Sequence, residues 1–476
     1  MSTTSHHRRI GLIAAVALAA SATTVAMRST SGAAATEPPC GPLGSLHEYD
    51  LNDRCDYGLL DPDLLTDVAI VGALGQAGLF ATLAICAGQP TTAVVAVPDE
   101  LLVTASTPQR LGQAVTEVSW RLLGSVSGVR QLNPFAAILT LRGGLLNLAF
   151  LRQVVPTLQG RGFSTDLNYL EPILPNNSFR PGDNPVAADD PGVGLGGAGR
   201  VLVVDSPADD PAAAPGVTTI GPLVDYDVDG NGFVDEDHGH GVYVASLIEQ
   251  LAPAAEVVLA GVNGTHVPAS DRWTPMAFSD ADLIVALGEA FGLSATGVAE
   301  PFDVVNLSLG GAGCAGIGGR LALGRFLRDL ADMSATTTGV RPLYVAAAGN
   351  DGADVKHFPA AWRDAPTMFA TAATVDLVSP LGAGSEVRAI HRALAADMLA
   401  VGSWTGGERD PFSNCGHWVN AVASGSGTVG GYASPPSPTG WATWSGTSFA
   451  AARVSAAIAG GQGINDVAIG TDIGRC

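Results

Sequence analysis

Val201-Leu-Val-Val-Asp205 places four apolar side chains in a row and then a carboxylate. A strand with one wet face alternates apolar and polar residues, so an unbroken run of Val and Leu reads as a strand covered on both faces. Residues 304–307, 343–346 and 369–373 have the same character, with helical stretches between them. That alternation predicts an α/β domain with a mostly parallel sheet. In such open sheets function collects at the carboxyl ends of the strands. Asp205 and Asn350 both follow strands closely.

Upstream, residues 92–104 and 135–141 read as strands, and 108–123 and 145–158 as helices, which together suggest a small α+β module over residues 91–174. Residues 175–199 are rich in Pro, Gly, Asn and Asp and read as an exposed linker of the sort proteases nick. The downstream domain covers residues 200–476. At the other end, His6, His7, Arg8 and Arg9 precede an apolar run at 10–27 and a small, polar stretch at 29–36. That is the layout of a secretory signal peptide over residues 1–36, with an uncleaved membrane anchor as the competing reading. Residues 37–90 form an undefined, cysteine-containing extension. Within it, 68–88 is apolar enough to cross a bilayer, but its glycines and its lack of flanking Lys or Arg favour a buried helix.

Lys and Arg number 24 against 45 Asp and Glu, a formal charge of −21, which excludes a surface that binds nucleic acid by neutralising phosphates. Hydrophobic residues at 47% with charged residues at 14% exclude a disordered acidic chain. Cysteines at 40, 55, 86, 314, 415 and 476 fit an oxidising compartment and lack the CxxC spacing of a zinc site. A cut in the linker would leave an odd number on each side. Complete pairing then requires a bridge between the halves, for which Cys476 is a candidate.

Four residues carry chemistry. Asp205 brings a carboxylate out of a buried strand, a place where Asp also caps turns. His240 opens His240-Gly-Val-Tyr-Val-Ala-Ser-Leu-Ile248, where a helix enters the core; such an imidazole can be held by a carboxylate on one nitrogen while the other accepts a proton. His238 is the rival position. Ser448 lies in Trp444-Ser-Gly-Thr-Ser448-Phe-Ala-Ala, a glycine turn running into an alanine-rich helix. A serine there sits beside backbone N–H groups that can stabilise an oxyanion, or simply caps the helix. Asn350 follows Tyr344-Val-Ala-Ala-Ala-Gly349 and can donate a second oxyanion hydrogen bond, although Asn-Asp-Gly alone is a common turn.

Taken together, these blocks resemble the subtilisin-like serine proteases (subtilases, peptidase S8), whose triad runs Asp, His, Ser along the chain. The resemblance covers roughly residues 199–460 through His240-Gly-Val-Tyr-Val-Ala, Val305-Asn-Leu-Ser-Leu-Gly-Gly311, Val345-Ala-Ala-Ala-Gly-Asn350, Phe412-Ser-Asn-Cys-Gly416 and Gly446-Thr-Ser-Phe-Ala-Ala451. It implies a three-layer α/β domain that is a secreted endopeptidase, with Ser448 as nucleophile, His240 as base and then acid, Asp205 orienting the imidazole, and Asn350 as oxyanion donor. It makes Ser308, Leu309 and Gly310 a segment that pairs with substrate backbone. Ala346, Ala347, Ala348 and Gly349 become a wall of the pocket for the side chain preceding the cut. Ser206-Pro207, Val242-Tyr243 and Ala452-Arg453 depart from the family's usual Thr-Gly, Thr-His and Pro-His. The upstream module resembles a subtilase propeptide through Val97-Pro-Asp-Glu-Leu-Leu-Val103 and Phe163-Ser-Thr-Asp-Leu-Asn-Tyr-Leu-Glu-Pro172, implying a segment that assists folding and blocks the cleft until the linker is cut.

One acidic loop stands apart. Asp225-Tyr-Asp-Val-Asp-Gly-Asn-Gly-Phe-Val-Asp-Glu236 fits an EF-hand loop, with Asp225, Asp227, Asp229 and Glu236 as ligand positions. A second register starts at Asp227 and uses Asn231, and Asp235 adds a further carboxylate. Dense oxygen ligands repel one another unless a hard cation sits among them, which points to a structural Ca2+; a solvated acidic loop is the plain alternative. No cofactor is needed for the chemistry. The expected partners are polypeptide substrates and the chain's own propeptide, with an extracytoplasmic location. Two other readings stand beside this one: a catalytically silent, peptide-binding relative, and a membrane-anchored calcium-binding surface protein.

Overall fold

The amino-terminal module contains β1 (Thr82–Ile85), β2 (Ala93–Thr104), α1 (Pro108–Arg121), β3 (Val126–Asn133), β4 (Ala136–Leu141) and β5 (Ser164–Ile173). In α1 the sequence sets both start and face. Extended Thr107 accepts a hydrogen bond from the Arg110 N–H, proline occupies the first turn, and Leu111, Ala114 and Val118 turn inward. They join Leu101, Val103, Leu139 and Tyr169 in the module's own core. The computed structural model describes residues 82–85, 93–122, 125–142, 155, 158–159, 163–173, 198–208, 211–223, 239–266, 276–312, 320–364, 383–432, 441–460, 467–470 and 473–476. All of these belong to one compact unit, His47–Cys476. The signal segment, residues 175–197 of the linker, the expected strand at 369–373 and most of the expected helix at 145–158 lie outside them.

The apolar stretch at 68–88 was read as a buried helix, yet its described part, β1, is a strand running antiparallel to β2, with Thr82 opposite Ala96. A short apolar run carries no period of its own, and the open edge of β2 decides its form.

Downstream come β6 (Arg200–Asp205), β7 (Thr218–Ile220), α2 (His240–Leu251), β8 (Glu256–Gly261), β9 (Thr265–His266), β10 (Met276–Ser279), α3 (Asp280–Ala290), β11 (Val304–Leu307), β12 (Gly311–Ala312) and α4 (Leu321–Thr338). They are followed by β13 (Leu343–Ala347), β14 (His357–Phe358), α5 (Ala383–Asp397), β15 (Met398–Thr405), β16 (Glu408–Arg409), β17 (Ala421–Ala423), β18 (Thr428–Gly431), β19 (Trp441–Trp444), α6 (Thr447–Ala459) and β20 (Ala468–Ile469). The main sheet runs β20-β17-β15-β13-β11-β6-β8-β7. Its members are parallel except β20, which closes the edge antiparallel to β17, and the short β16, which pairs antiparallel with β15 off this path.

Alternate residues of each strand feed opposite layers, as the two-residue period of a strand requires. Val201, Val203, Leu259 and Val345 pack with Val244 and Ile248 of α2 and Ala450 and Val454 of α6. Leu202, Val204, Val258 and Tyr344 pack with Ile284 and Leu287 of α3 and Phe326 and Leu330 of α4. The result is the expected three-layer α/β domain.

The module is stitched to that domain. A second sheet runs β3-β4-β2-β5-β10-β9, so β5 pairs antiparallel with β10, Leu170 opposite Ser279 and Ile173 opposite Met276. Two further contacts cap helices from outside: Asn168 Oδ1 accepts from Ala281 N at 3.0 Å on α3, and Asp166 Oδ2 from Leu321 N at 2.8 Å on α4. Cys415 and Cys476 form a disulfide. That corrects the expectation of Cys476 as a bridge to the upstream half. The pairing of β20 with β17 and a Gly416 N–H bond to Gly474 O at 2.6 Å fold the end of the chain back onto residue 415 instead. Among the described residues no helix is long and apolar enough to cross a membrane.

Candidate active site

The carboxyl end of β6 and the amino end of α2 bring Asp205 and His240 together. His240 Nδ1 lies 2.7 Å from Asp205 Oδ1, and both residues are buried. The Ser206 N–H donates to the same Asp205 oxygen at 2.7 Å, and the Gly241 N–H donates to Ser206 Oγ at 2.9 Å. Ser206 therefore supplies a hydroxyl at the first departure from the family pattern. Gly241 is required here, because a Cβ would come within 2.3 Å of the Ser206 carbonyl oxygen. The imidazole is held in an aromatic cage, edge-on to Trp444 at 5.3 Å and tilted on Phe449 at 5.7 Å between ring centres. Those residues flank Ser448, so the cage ties the His240 helix to the Ser448 segment.

Tyr243, at the second departure, fills the same core. Its ring lies 4.7 Å from Phe449 and its hydroxyl donates to the Thr428 carbonyl at 2.6 Å. Burial pushes that phenol well above its ordinary range.

Ser448 is the second residue of α6, where backbone N–H groups have no partner within the helix. Its hydroxyl donates to the Ser308 carbonyl at 3.2 Å, and the Ser308 hydroxyl lies 2.9 Å from the Ser448 carbonyl oxygen. Among the described residues the Ser448 hydroxyl is not bonded to His240. Thr447 reaches the other way. Asn350 Oδ1 accepts from Thr447 N at 2.9 Å and from Thr447 Oγ1 at 2.8 Å. With its oxygen occupied on that side, the Asn350 amide presents its NH2 group away from Thr447, as a donor should.

The residues expected to form substrate segments approach Ser448 from two sides. Ser308, Leu309 and Gly310 leave the carboxyl end of β11, while Ala346 and Ala347 end β13 and Ala348 and Gly349 follow it; the two strands are parallel neighbours. Ser308 meets Ser448 as described, and the Gly349 N–H donates to Thr447 Oγ1 at 3.3 Å. Gly349 has φ +104°, and a Cβ there would meet Asn414 Nδ2 at 2.5 Å. Beside it, Asp351 faces His357 Nε2 at 3.0 Å and accepts from Asn414 Nδ2 at 2.6 Å. Burial pushes the Asp351 carboxyl up, but His357 and Asn414 outweigh it and hold it down at about 2.

Asp205, His240, Ser448, Asn350 and both substrate segments thus share one site. The metal-ligand candidates Asp225, Asp227, Asp229, Asn231, Asp235 and Glu236, with His238, lie outside the described residues; among the described ones no cluster of His, Cys, Asp or Glu could hold a metal. Sequence reasoning missed Ser206, Thr447 and Asn414 as positioning groups. Thr447 lies inside Gly446-Thr-Ser-Phe-Ala-Ala451, and only its contact with Asn350 reveals its use.

A family model described as the subtilase family matches residues 212–462, just over half of the chain. It covers His240, Asn350 and Ser448 and begins after Asp205, whose place rests on the 2.7 Å contact to His240. No curated protein matches. Among solved structures, the protease domain of PatA is similar at 22% identity over 56% of this chain and 80% of that one, TM-score 0.36. The prenylagaramide maturation protease PagA shares 22% identity over 55% and 73%, TM-score 0.35. A cold adapted subtilisin-like serine proteinase shares 22% over 55% and 73%, TM-score 0.33.

Proposed function

The chain belongs to the subtilase family, and on that premise we propose that it is a serine endopeptidase in which Asp205, His240 and Ser448 form the triad and Asn350 assists the oxyanion hole. The observation that carries the reading is the buried Asp205–His240 pair caged by the residues that flank Ser448. Asp205 fixes the imidazole with Nδ1 toward the carboxylate, leaving Nε2 to take the Ser448 proton as Oγ attacks the scissile carbonyl. Negative charge then develops on the former carbonyl oxygen, where the Asn350 amide and the Ser448 N–H donate to it. His240 returns the proton to the leaving amine, and a water molecule, activated by the same imidazole, releases the acyl group. In the resting site the Ser448 hydroxyl donates to the Ser308 carbonyl, and it turns to His240 when substrate binds, since catalytic hydrogen bonds commonly tighten only then.

The resting Ser448–Ser308 bond is also what favours the alternative of a silent peptide-binding relative. An intact-mass time course on the signal-free chain, wild type against Ser448→Ala in calcium, separates the two. Cleavage within 175–199 in wild type alone supports a self-maturing protease. No cleavage in either, with no hydrolysis of a denatured protein substrate, sinks it.

The rest of the proposal is a life history. Residues 1–36 direct export, 91–174 act as an inhibitory propeptide, and the acidic loop binds Ca2+ through the carboxylates named above. The β5–β10 pairing supports the second point, since it lays the end of the module along an edge of the catalytic domain. Chelation and calcium titration followed by thermal unfolding test the third; an unchanged melting temperature would count against a structural ion.

A further inference from the structure

Where the module meets α3 and α4, two buried carboxylates lie near one guanidinium, which is bonded to one of them. Asp166 and Tyr169 come from β5, Asp280 opens α3 and Arg320 precedes α4, and none is more than 2% exposed. Arg320 Nη1 donates to Asp280 Oδ1 at 2.9 Å, and its guanidinium lies over the Tyr169 ring, 4.9 Å from the centre. Asp166 Oδ1 accepts from the Tyr169 hydroxyl at 3.0 Å and Leu167 N at 2.9 Å, and Oδ2 from Leu321 N at 2.8 Å. Asp280 Oδ2 has no hydrogen-bond partner among the described residues.

The other charged groups packed on the cluster do not correct the imbalance. Asp282 of α3, held by Ser279 Oγ at 2.7 Å, adds negative charge. Glu100 of β2 binds Asn168 Nδ2 at 2.7 Å, and Arg325 of α4 is engaged by Asp329 and the Ser164 hydroxyl. Among the described residues, carboxylates outnumber cations there. A site buried from bulk solvent balances such an excess by keeping a proton.

Burial pushes Asp166 up to about 7, against the pull of the Tyr169 hydroxyl, the Leu167 and Leu321 N–H groups and Arg320. Burial also raises Asp280 well above its ordinary value, with Asp166 and Asp282 adding to the effect. If the module lifts from α3 and α4, both carboxylates meet water and return to the ordinary range, and the proton leaves.

We infer that docking of the amino-terminal module on α3 and α4 carries a proton in the Asp166–Arg320–Asp280 cluster, so that acid holds the module and a rise toward neutrality loosens it. The docked state binds more protons than the open one between the ordinary carboxylate range and about 7, so opening grows with pH across that window and levels off above it. What this does to activity rests on the propeptide reading; the docking itself does not.

The test is hydrogen exchange by mass spectrometry on the full signal-free chain carrying Ser448→Ala, from pH 4.5 to 8.5 and corrected for intrinsic rates. Amides of β5 should open about ten-fold more per pH unit up to about pH 7 and then level, while those of β13 do not follow. Adding Asp166→Asn should flatten the slope, and if that chain does not fold, Asp280→Asn should do the same by removing the other carboxylate. A flat β5 profile, a slope that survives both substitutions, or an equal slope in β13 overturns the inference. Parallel mass spectra of the wild-type chain read the propeptide proposal separately. A β5 slope without cleavage at 175–199 keeps the switch and removes the propeptide, and cleavage with a flat profile does the reverse.

Discussion

The oxyanion role proposed for Asn350 requires its amide to be turned the right way round, and Thr447 holds it so through two donors on Oδ1. Replacing Asn350 with Ala should lower kcat by about 10²- to 10³-fold with little change in KM, because the lost hydrogen bond exists only once charge has developed. Thr447→Val keeps the shape and the backbone donor but removes the hydroxyl; kcat should fall about ten-fold, and the double variant Thr447→Val, Asn350→Ala should be no worse than Asn350→Ala alone. Ser448→Ala should reduce kcat by at least about 10⁴-fold, as should His240→Ala. Steady-state kinetics on a chromogenic peptide reads all five variants. At this scale the sequence named the groups proposed to react but not those that would aim them. Asp205, His240, Ser448 and Asn350 advertise themselves by type and setting, whereas the uses of Ser206, Thr447 and Asn414 depend on contacts 35, 97 and 66 residues away along the chain.

Among the elements, β6, β11 and β13 were legible because both of their faces are buried and unbroken apolar runs leave little else for them to be. β5 was not. Ser164-Thr-Asp-Leu-Asn-Tyr mixes buried polar with apolar residues, and those polar residues are there to meet α3 and α4, which no local pattern encodes. The segment after β13 is similarly tuned. Gly349 combines a left-handed φ with contact to Asn414, so Gly349→Ala should cost about 1–3 kcal/mol and shift the thermal midpoint downward. Tyr243→Phe leaves the Thr428 carbonyl without its donor in the core beneath the imidazole. The expected loss is about 1–2 kcal/mol by denaturant titration, with the aromatic packing retained.

For the molecule as a whole, acid and alkali act on different parts. Asp351 is held below its ordinary value in the folded state, so its contribution is present above that range and is lost as pH falls from about 4 toward about 2. Asp351→Asn should therefore narrow the difference in melting temperature between pH 5 and pH 3; an unchanged difference would assign acid sensitivity elsewhere. The module responds in the opposite sense, through carboxylates whose protons burial retains. The Cys415–Cys476 bridge closes 61 residues, and its reduction should cost about 4 kcal/mol on a chain-entropy estimate, measured as a shift in denaturant midpoint with and without reductant. Even cysteine count spoke for oxidation, but parity could not say which partner each sulfur takes, since that follows from where β20 lands.

The shared sheet has one more consequence. In the docked chain the flank of Met276–Ser279 is covered by β5. Removing the module would turn those four residues into a bare ribbon margin whose main-chain groups suit any extended polypeptide, whatever its side chains. If the proposed maturation frees this margin, the chain should bind unfolded polypeptides of many sequences along it. Left without them at high concentration, it should associate with itself through the same margin.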